Sequence, residues 1–147
     1  MVKIRSYRHL LPRYEARKLL EQAGILPTQQ RLDIACVMLA RPQHVSADQL
    51  LAMVNQEGGN VSKATVYNTL RLFASKGIIR EVLVDPTRVF YDSNTTEHHH
   101  LYNEDTGTLT DLSPTTLQVG QLPALPNDMM LSGVDIIVRV RNSASKT

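Results

Sequence analysis

The stretch from Ser62 to Asp92 restricts the fold more than any other part of the chain. Ser62 is a strong N-cap residue, and the helix it opens is predicted to run to about Lys76, where Gly77 supplies the left-handed residue that commonly ends helices. Val66, Leu70, Phe73 and Ala74 share one face of that helix and must meet a core. The opposite face carries Asn68 and a stack of Lys63, Tyr67 and Arg71 at i, i+4 and i+8. Directly afterwards Ile78–Val84 and Arg88–Asp92 alternate around Asp85-Pro86-Thr87, the pattern of a two-stranded hairpin.

Upstream, Pro12–Ala23 reads as a helix stopped by Gly24, and Thr28 caps another whose Leu32, Ala35, Cys36 and Leu39 form an apolar stripe. Ser46-Ala47-Asp48-Gln49 is a capping box, with Ala47, Leu50, Leu51 and Val54 as the buried face behind it and Gly58-Gly59-Asn60-Val61 as the turn that follows. Helix, turn, helix and hairpin is a winged helix-turn-helix layout. In a major groove, Lys63 and Arg71 meet phosphates or guanine acceptors, Asn68 pairs with adenine and Tyr67 touches a thymine methyl. Arg88, near the hairpin tip, reaches the backbone. The plainer alternative is a decorated surface helix, although a chain with 5% aromatic residues has little cause to place a tyrosine between two cations there. So small a reader of double-stranded DNA is expected to act as a homodimer on paired half-sites.

Composition narrows the class. Of 147 residues, 42% are hydrophobic and 20% charged, which is globular rather than disordered. No apolar run approaches a bilayer span, and the N-terminal stretch lacks the apolar centre of a secretory signal, so a cytoplasmic protein without membrane contact is expected. Cys36 is the single cysteine. It lies on the apolar stripe and reads as a core residue, and a four-cysteine structural zinc is impossible. Residues 1–92 hold 13 Lys+Arg against 8 Asp+Glu, and residues 93–147 hold 3 against 6. The basic part is read as a DNA-binding domain (1–92) and the acidic part as a small α/β dimerisation domain (93–147), giving an α+β chain. Pro114–Asp128 interrupts regular structure and Asn142–Thr147 reads as a frayed polar tail.

The acidic half carries a second chemistry. Glu97–Asn103 looks extended, Glu104-Asp105-Thr106-Gly107 is a turn, and Thr108–Leu112 returns. A symmetric four-residue turn sets His100 opposite Asp111, with His98 on the same face and His99 on the other. Two imidazoles and a carboxylate suit Fe²⁺, Mn²⁺ or Zn²⁺. The plainer alternative is a polar edge strand. His44 and Asp92 are further ligand candidates in the basic half.

Pro27-Thr28-Gln29-Gln30-Arg31, His44-Val45-Ser46-Ala47, Ala64-Thr65-Val66-Tyr67-Asn68-Thr69-Leu70 and the histidine strand resemble, in order and spacing, the ferric uptake regulator (Fur) superfamily. Tyr91 to His100, Leu122 to Pro126 and Val134 to Val140 are most similar to its iron response regulator (Irr) subgroup. The resemblance implies a regulatory metal site at His44, Asp92, His98, His100 and Asp111. It also implies a recognition-helix tyrosine at Tyr67, a backbone-gripping arginine at Arg31, and haem binding by His98, His99 and His100. Many relatives hold a structural zinc with a cysteine pair after the histidine strand; Asn103 and Thr106 stand there instead. An N-terminal Cys-Pro haem motif is missing, since Val37 follows Cys36, and Glu97, Val134 and Leu26 replace other residues expected from relatives.

These readings combine into a dimeric, iron- and haem-responsive transcription regulator. A peroxide-sensing member of the superfamily, suggested by aspartates at both 92 and 111, is the alternative. A metalloenzyme using the same cluster is the rival from another class, but it needs an open coordination position and an acid or base that the sequence does not offer.

Overall fold

The computed structural model describes residues 9–144. Residues 1–8 and 145–147, including the end of the expected frayed tail, lie outside the described residues. The chain divides into two compact units, one up to Thr95 and one from Thr96.

The first unit is built from four helices and a three-stranded sheet: α1 (Arg13–Gln22), α2 (Gln29–Met38), β1 (His44–Val45), α3 (Ala47–Gln56), α4 (Lys63–Ser75), β2 (Arg80–Asp85) and β3 (Arg88–Asp92). The caps act where the sequence places them. Thr28 accepts from the Arg31 N–H, Ser46 and Gln49 exchange both capping-box bonds, and Ser62 accepts from the Thr65 N–H. Gly77 ends α4 at φ 76°. Gly59 is required for a different reason, because a Cβ there would stand 2.7 Å from Val54 Cγ1 and 2.9 Å from the Val54 carbonyl oxygen.

The core gathers Leu20, Leu32, Ile34, Met38, Leu50, Val54, Val66, Leu70, Phe73 and Ile79. Helix α2 departs from the single stripe expected of it: Leu32 and every residue from Ile34 to Met38 are buried. It is the central helix, contacted by α1, α3 and α4, and so is apolar all round in its second half, from Ile34 to Met38. Cys36 is among these buried residues, and burial pushes its thiol above the ordinary range. It should therefore react with a maleimide only after denaturant is added; fast labelling of the native protein would contradict the core placement.

The sheet runs in the order β1-β3-β2. Strand β1 is absent from the sequence reading, which saw only a residue preceding a helix. It pairs antiparallel with β3 and sets His44 opposite Asp92. Two-residue strands carry too short an alternation to be recognised.

The second unit consists of β4 (His99–Asn103), β5 (Leu109–Leu112) and β6 (Ile137–Val140), in the order β5-β4-β6. Strand β5 is antiparallel to β4 and β6 is parallel to it. The small α/β domain expected here needs correction: among the described residues this unit has no helix, and residues 113–136 form an irregular, mostly exposed crossover. Pro114, Pro123 and Pro126 remove backbone donors along that path and hold the chain out of helical geometry. The α+β character of the whole chain is unaffected. Asn142, expected to fray, is instead hydrogen-bonded: its N–H donates to Asp105 Oδ2 at 2.8 Å.

Candidate metal centre and nucleic-acid interface

In the second unit the register is the one a four-residue turn implies, with His100 opposite Asp111. Strand alternation then turns His98 to the same face. The two Nε2 atoms lie 3.5 Å (His98) and 3.4 Å (His100) from Asp111 Oδ1. Their rings meet edge to face, 4.6 Å between centroids. Ligand atoms of His98, His100 and Asp111 all fall within 4.8 Å of one another. The imidazoles are buried, at 5% and 2% exposure, while the carboxylate side chain is 47% exposed.

The His98 ring is held in one tautomer. Its Nδ1 lies 2.6 Å from the Thr96 carbonyl oxygen, which can only accept, so Nδ1 carries a proton and Nε2 is the nitrogen turned toward Asp111. His99, on the opposite face, does the reverse: its Nδ1 accepts from the Ile136 N–H at 3.2 Å. Neither the Thr96 carbonyl nor the Ile136 amide carries a signal in the sequence, because both act through the main chain.

His44 and Asp92 lie in the first unit as direct strand partners, His44 half-buried and Asp92 buried. Asp92 accepts from the Asn94 N–H at 2.8 Å.

On α4, Lys63, Tyr67, Asn68 and Arg71 are all exposed, while Val66, Leu70 and Phe73 are buried behind them. Lys63 is 3.2 Å from Asp48 on α3, an exposed ion pair that holds the ammonium only weakly. Tyr91, buried on β3 and given no role in this face by the sequence reading, lies within electrostatic reach of Tyr67 and Arg71. Burial, with Glu81 and Tyr67 adding and Arg71 opposing, pushes its phenol above the ordinary range. Arg88 is exposed at the start of β3. The preceding turn is tied by Asp85, which accepts from the Thr87 N–H and hydroxyl at 2.8 and 2.7 Å, and those bonds hold its carboxyl below the usual range. Arg31 is half-buried and donates from Nη1 to the Leu26 carbonyl at 2.9 Å.

A winged helix-turn-helix followed by a sheet that gathers imidazoles around a carboxylate defines the class of metal-responsive, DNA-binding transcription regulators. The chain belongs to the ferric uptake regulator family, which its sequence matches over residues 22–133. It is 34% identical over 110 residues to the peroxide-responsive repressor PerR of Staphylococcus aureus, covering 75% of this chain and 73% of that protein. Its fold is similar to that of the Vibrio cholerae ferric uptake regulator, with TM-score 0.66, 22% identity, and coverage of 85% of this chain and 98% of the other. The Pseudomonas aeruginosa ferric uptake regulator, solved with manganese, gives TM-score 0.65 and 19% identity over 88% of this chain and 98% of the other. Regulators of this family are DNA-binding transcription factors rather than enzymes, which weighs against the metalloenzyme rival. No described helix is long and apolar enough to cross a membrane.

Proposed function

We propose that this chain is a dimeric, iron-responsive transcription regulator. His98, His100 and Asp111 hold its sensory ion, and Asp92 and His44 complete the ligand set. The observation that carries the reading is the aim of two Nε2 atoms at one oxygen of Asp111. Nitrogen and carboxylate donors of this kind fit Fe²⁺, Mn²⁺ or Zn²⁺. Asp92 stands six positions before His98, and His44 is its strand partner, so the DNA-binding unit offers an imidazole and a carboxylate of its own. A bound ion would supply positive charge among these carboxylates and imidazoles. An arrangement of the two units favoured by about 2.7 kcal/mol is populated roughly a hundredfold more, enough for a switch.

The exposed face of α4, with Lys63, Tyr67, Asn68 and Arg71, is the DNA reader; Arg88 and Arg31 grip the backbone. Tyr67→Ala or Arg71→Ala should lower specific operator affinity by about 1–3 kcal/mol with the dimer intact. Unchanged affinity in a gel-shift titration would remove this face from the groove.

A homodimer is supported by the second unit's sparse interior. Among its described residues only Tyr102 and Leu109 are buried apolar side chains, while Leu122, Leu125, Met129, Met130 and Leu131 are exposed, Met130 at 92%. So small a core is stabilised when a second copy covers that surface.

Two finer readings follow from separate observations. Peroxide sensing is favoured by the likeness to a peroxide-responsive repressor and by aspartates at 92 and 111. Mass spectrometry of His44 and His98 after peroxide treatment of the iron-loaded protein tests it, since an unoxidised spectrum removes it. The iron response (Irr) reading, with haem taking His98, His99 and His100, rests on the resemblance of residues 91–100 and 122–126. His98 and His100 are its stronger candidates, because His99 Nδ1 is already engaged by Ile136. Operator binding measured against Mn²⁺, Fe²⁺ and hemin in one buffer separates these readings; affinity indifferent to all three would overturn the sensor.

A further inference from the structure

Strand β4 is central in its sheet, and everything that places its histidines depends on how β5 and β6 are fastened to it. One side chain reaches both. Asn103, the last residue of β4, accepts at Oδ1 from the Asp105 and Thr106 N–H groups, at 2.9 and 3.2 Å, closing the turn that leads to β5. Its Nδ2 donates to Asn142 Oδ1 at 2.8 Å, just past the end of β6. Further bonds run between the same two segments. The Asn142 N–H donates to Asp105 Oδ2 (2.8 Å), the Glu104 N–H donates to the Val140 carbonyl (2.8 Å), and Arg141 reaches Glu104 through Nη2 at 3.2 Å.

We propose that Asn103, with Asn142, is a positioning pair: a metal-free polar clasp that fixes the register of β4 against both neighbours and so aims His98 and His100 at Asp111. The physical necessity lies in the period of a strand. A slip of one residue between β4 and β5 sets Thr110 or Leu112 opposite His100 and turns Asp111 to the other face. The turn is the nearest fixed point to that pairing, and Asn103 closes it from inside with two of its own bonds. The exposed Arg141–Glu104 ion pair adds little. Weight falls on the two asparagines and Asp105, whose bonds are directional and uncharged at one end.

The clasp itself stands apart from the function proposed above; its effect on metal affinity rests on that reading. The test uses full-length dimeric protein. Amide hydrogen exchange of Glu104, Asp105, Thr106 and Asn142 is followed by NMR, beside Mn²⁺ titration, for wild type, Asn103→Ala and Asn103→Asp. In Asn103→Ala, exchange at Asp105 and Thr106 should rise at least about tenfold, and Mn²⁺ affinity should fall, by no more than the about 10–100-fold that losing a group bonded directly to a ligand costs. Asn103→Asp keeps the acceptor for both turn amides and loses the donor to Asn142, so it should restore protection at Asp105 and Thr106 while the link to Asn142 stays broken. Should Asn103→Ala not fold, Asn142→Ala leaves the turn's own bonds in place and should raise exchange at Glu104 by a similar factor. Wild-type exchange rates in Asn103→Ala, or in Asn142→Ala where that variant serves, overturn the clasp. A wild-type protein that binds no Mn²⁺ overturns the proposed metal site, and the exchange rates still decide the clasp.

Discussion

Replacing His98 and His100 together with alanine is expected to abolish the response of operator binding to metal while leaving the helix-turn-helix folded. The two imidazoles supply two of the three donors that the second unit gathers, and both point Nε2 at Asp111. Losing outer-shell partners of a ligand costs about 10–100-fold in affinity, so losing two ligands should weaken Mn²⁺ binding by more than about a hundredfold. Both side chains are buried in the second unit, and the helices of the first keep their own core. Isothermal titration with Mn²⁺ and a far-ultraviolet melt of the same sample separate the two effects. A double variant that binds Mn²⁺ as the wild type does would show that the ion sits elsewhere. A hemin titration of the same variant tests the haem reading: an unaltered Soret band would place the porphyrin away from this strand.

The second large effect concerns the reader rather than the sensor. Phe73 has no exposed surface and lies on α4 opposite the Tyr67 and Arg71 face. Phe73→Ala should destabilise the first unit by about 3–5 kcal/mol through lost burial and the cavity left behind. Against total stabilities of about 5–15 kcal/mol this is a large share, and a fall in melting temperature on the order of 10–40 °C is expected. DNA binding is then lost through unfolding, which distinguishes Phe73 from Tyr67, whose replacement should cost affinity at unchanged melting temperature. A Phe73→Ala protein melting within a few degrees of wild type would mean that α4 is not packed as described.

Three of the four described helices of the first unit were legible because each begins with a side chain that satisfies its own backbone. Thr28, Ser46 and Ser62 mark three starts, and Gly24 and Gly77 mark two stops. The pairing of His100 with Asp111 was legible for a similar reason, since a short turn fixes the register of the strands it joins. Contacts made over long sequence distances were not legible. Strand β1 is recognisable only through β3, and β6 only through β4, with residues 113–136 between β5 and β6. Helix α2 misled in the other direction, since its central position buries faces that a single stripe leaves to solvent. At the histidines, the sequence offers residue types and alternation, but the tautomer of His98 depends on the Thr96 carbonyl, a group every residue possesses.

The split between local and distant pairing in the second unit has a consequence for how the protein is made. The β4–β5 hairpin closes over a handful of residues and can form within microseconds, whereas β6 must wait for the crossover to be synthesised and for a longer loop to close. On a ribosome, a nascent chain that has emerged only as far as Leu112 already holds both imidazoles and their carboxylate. The residues proposed to hold the ion are thus all synthesised before β6, and their aim is fixed only once β6 docks and Asn142 meets Asn103.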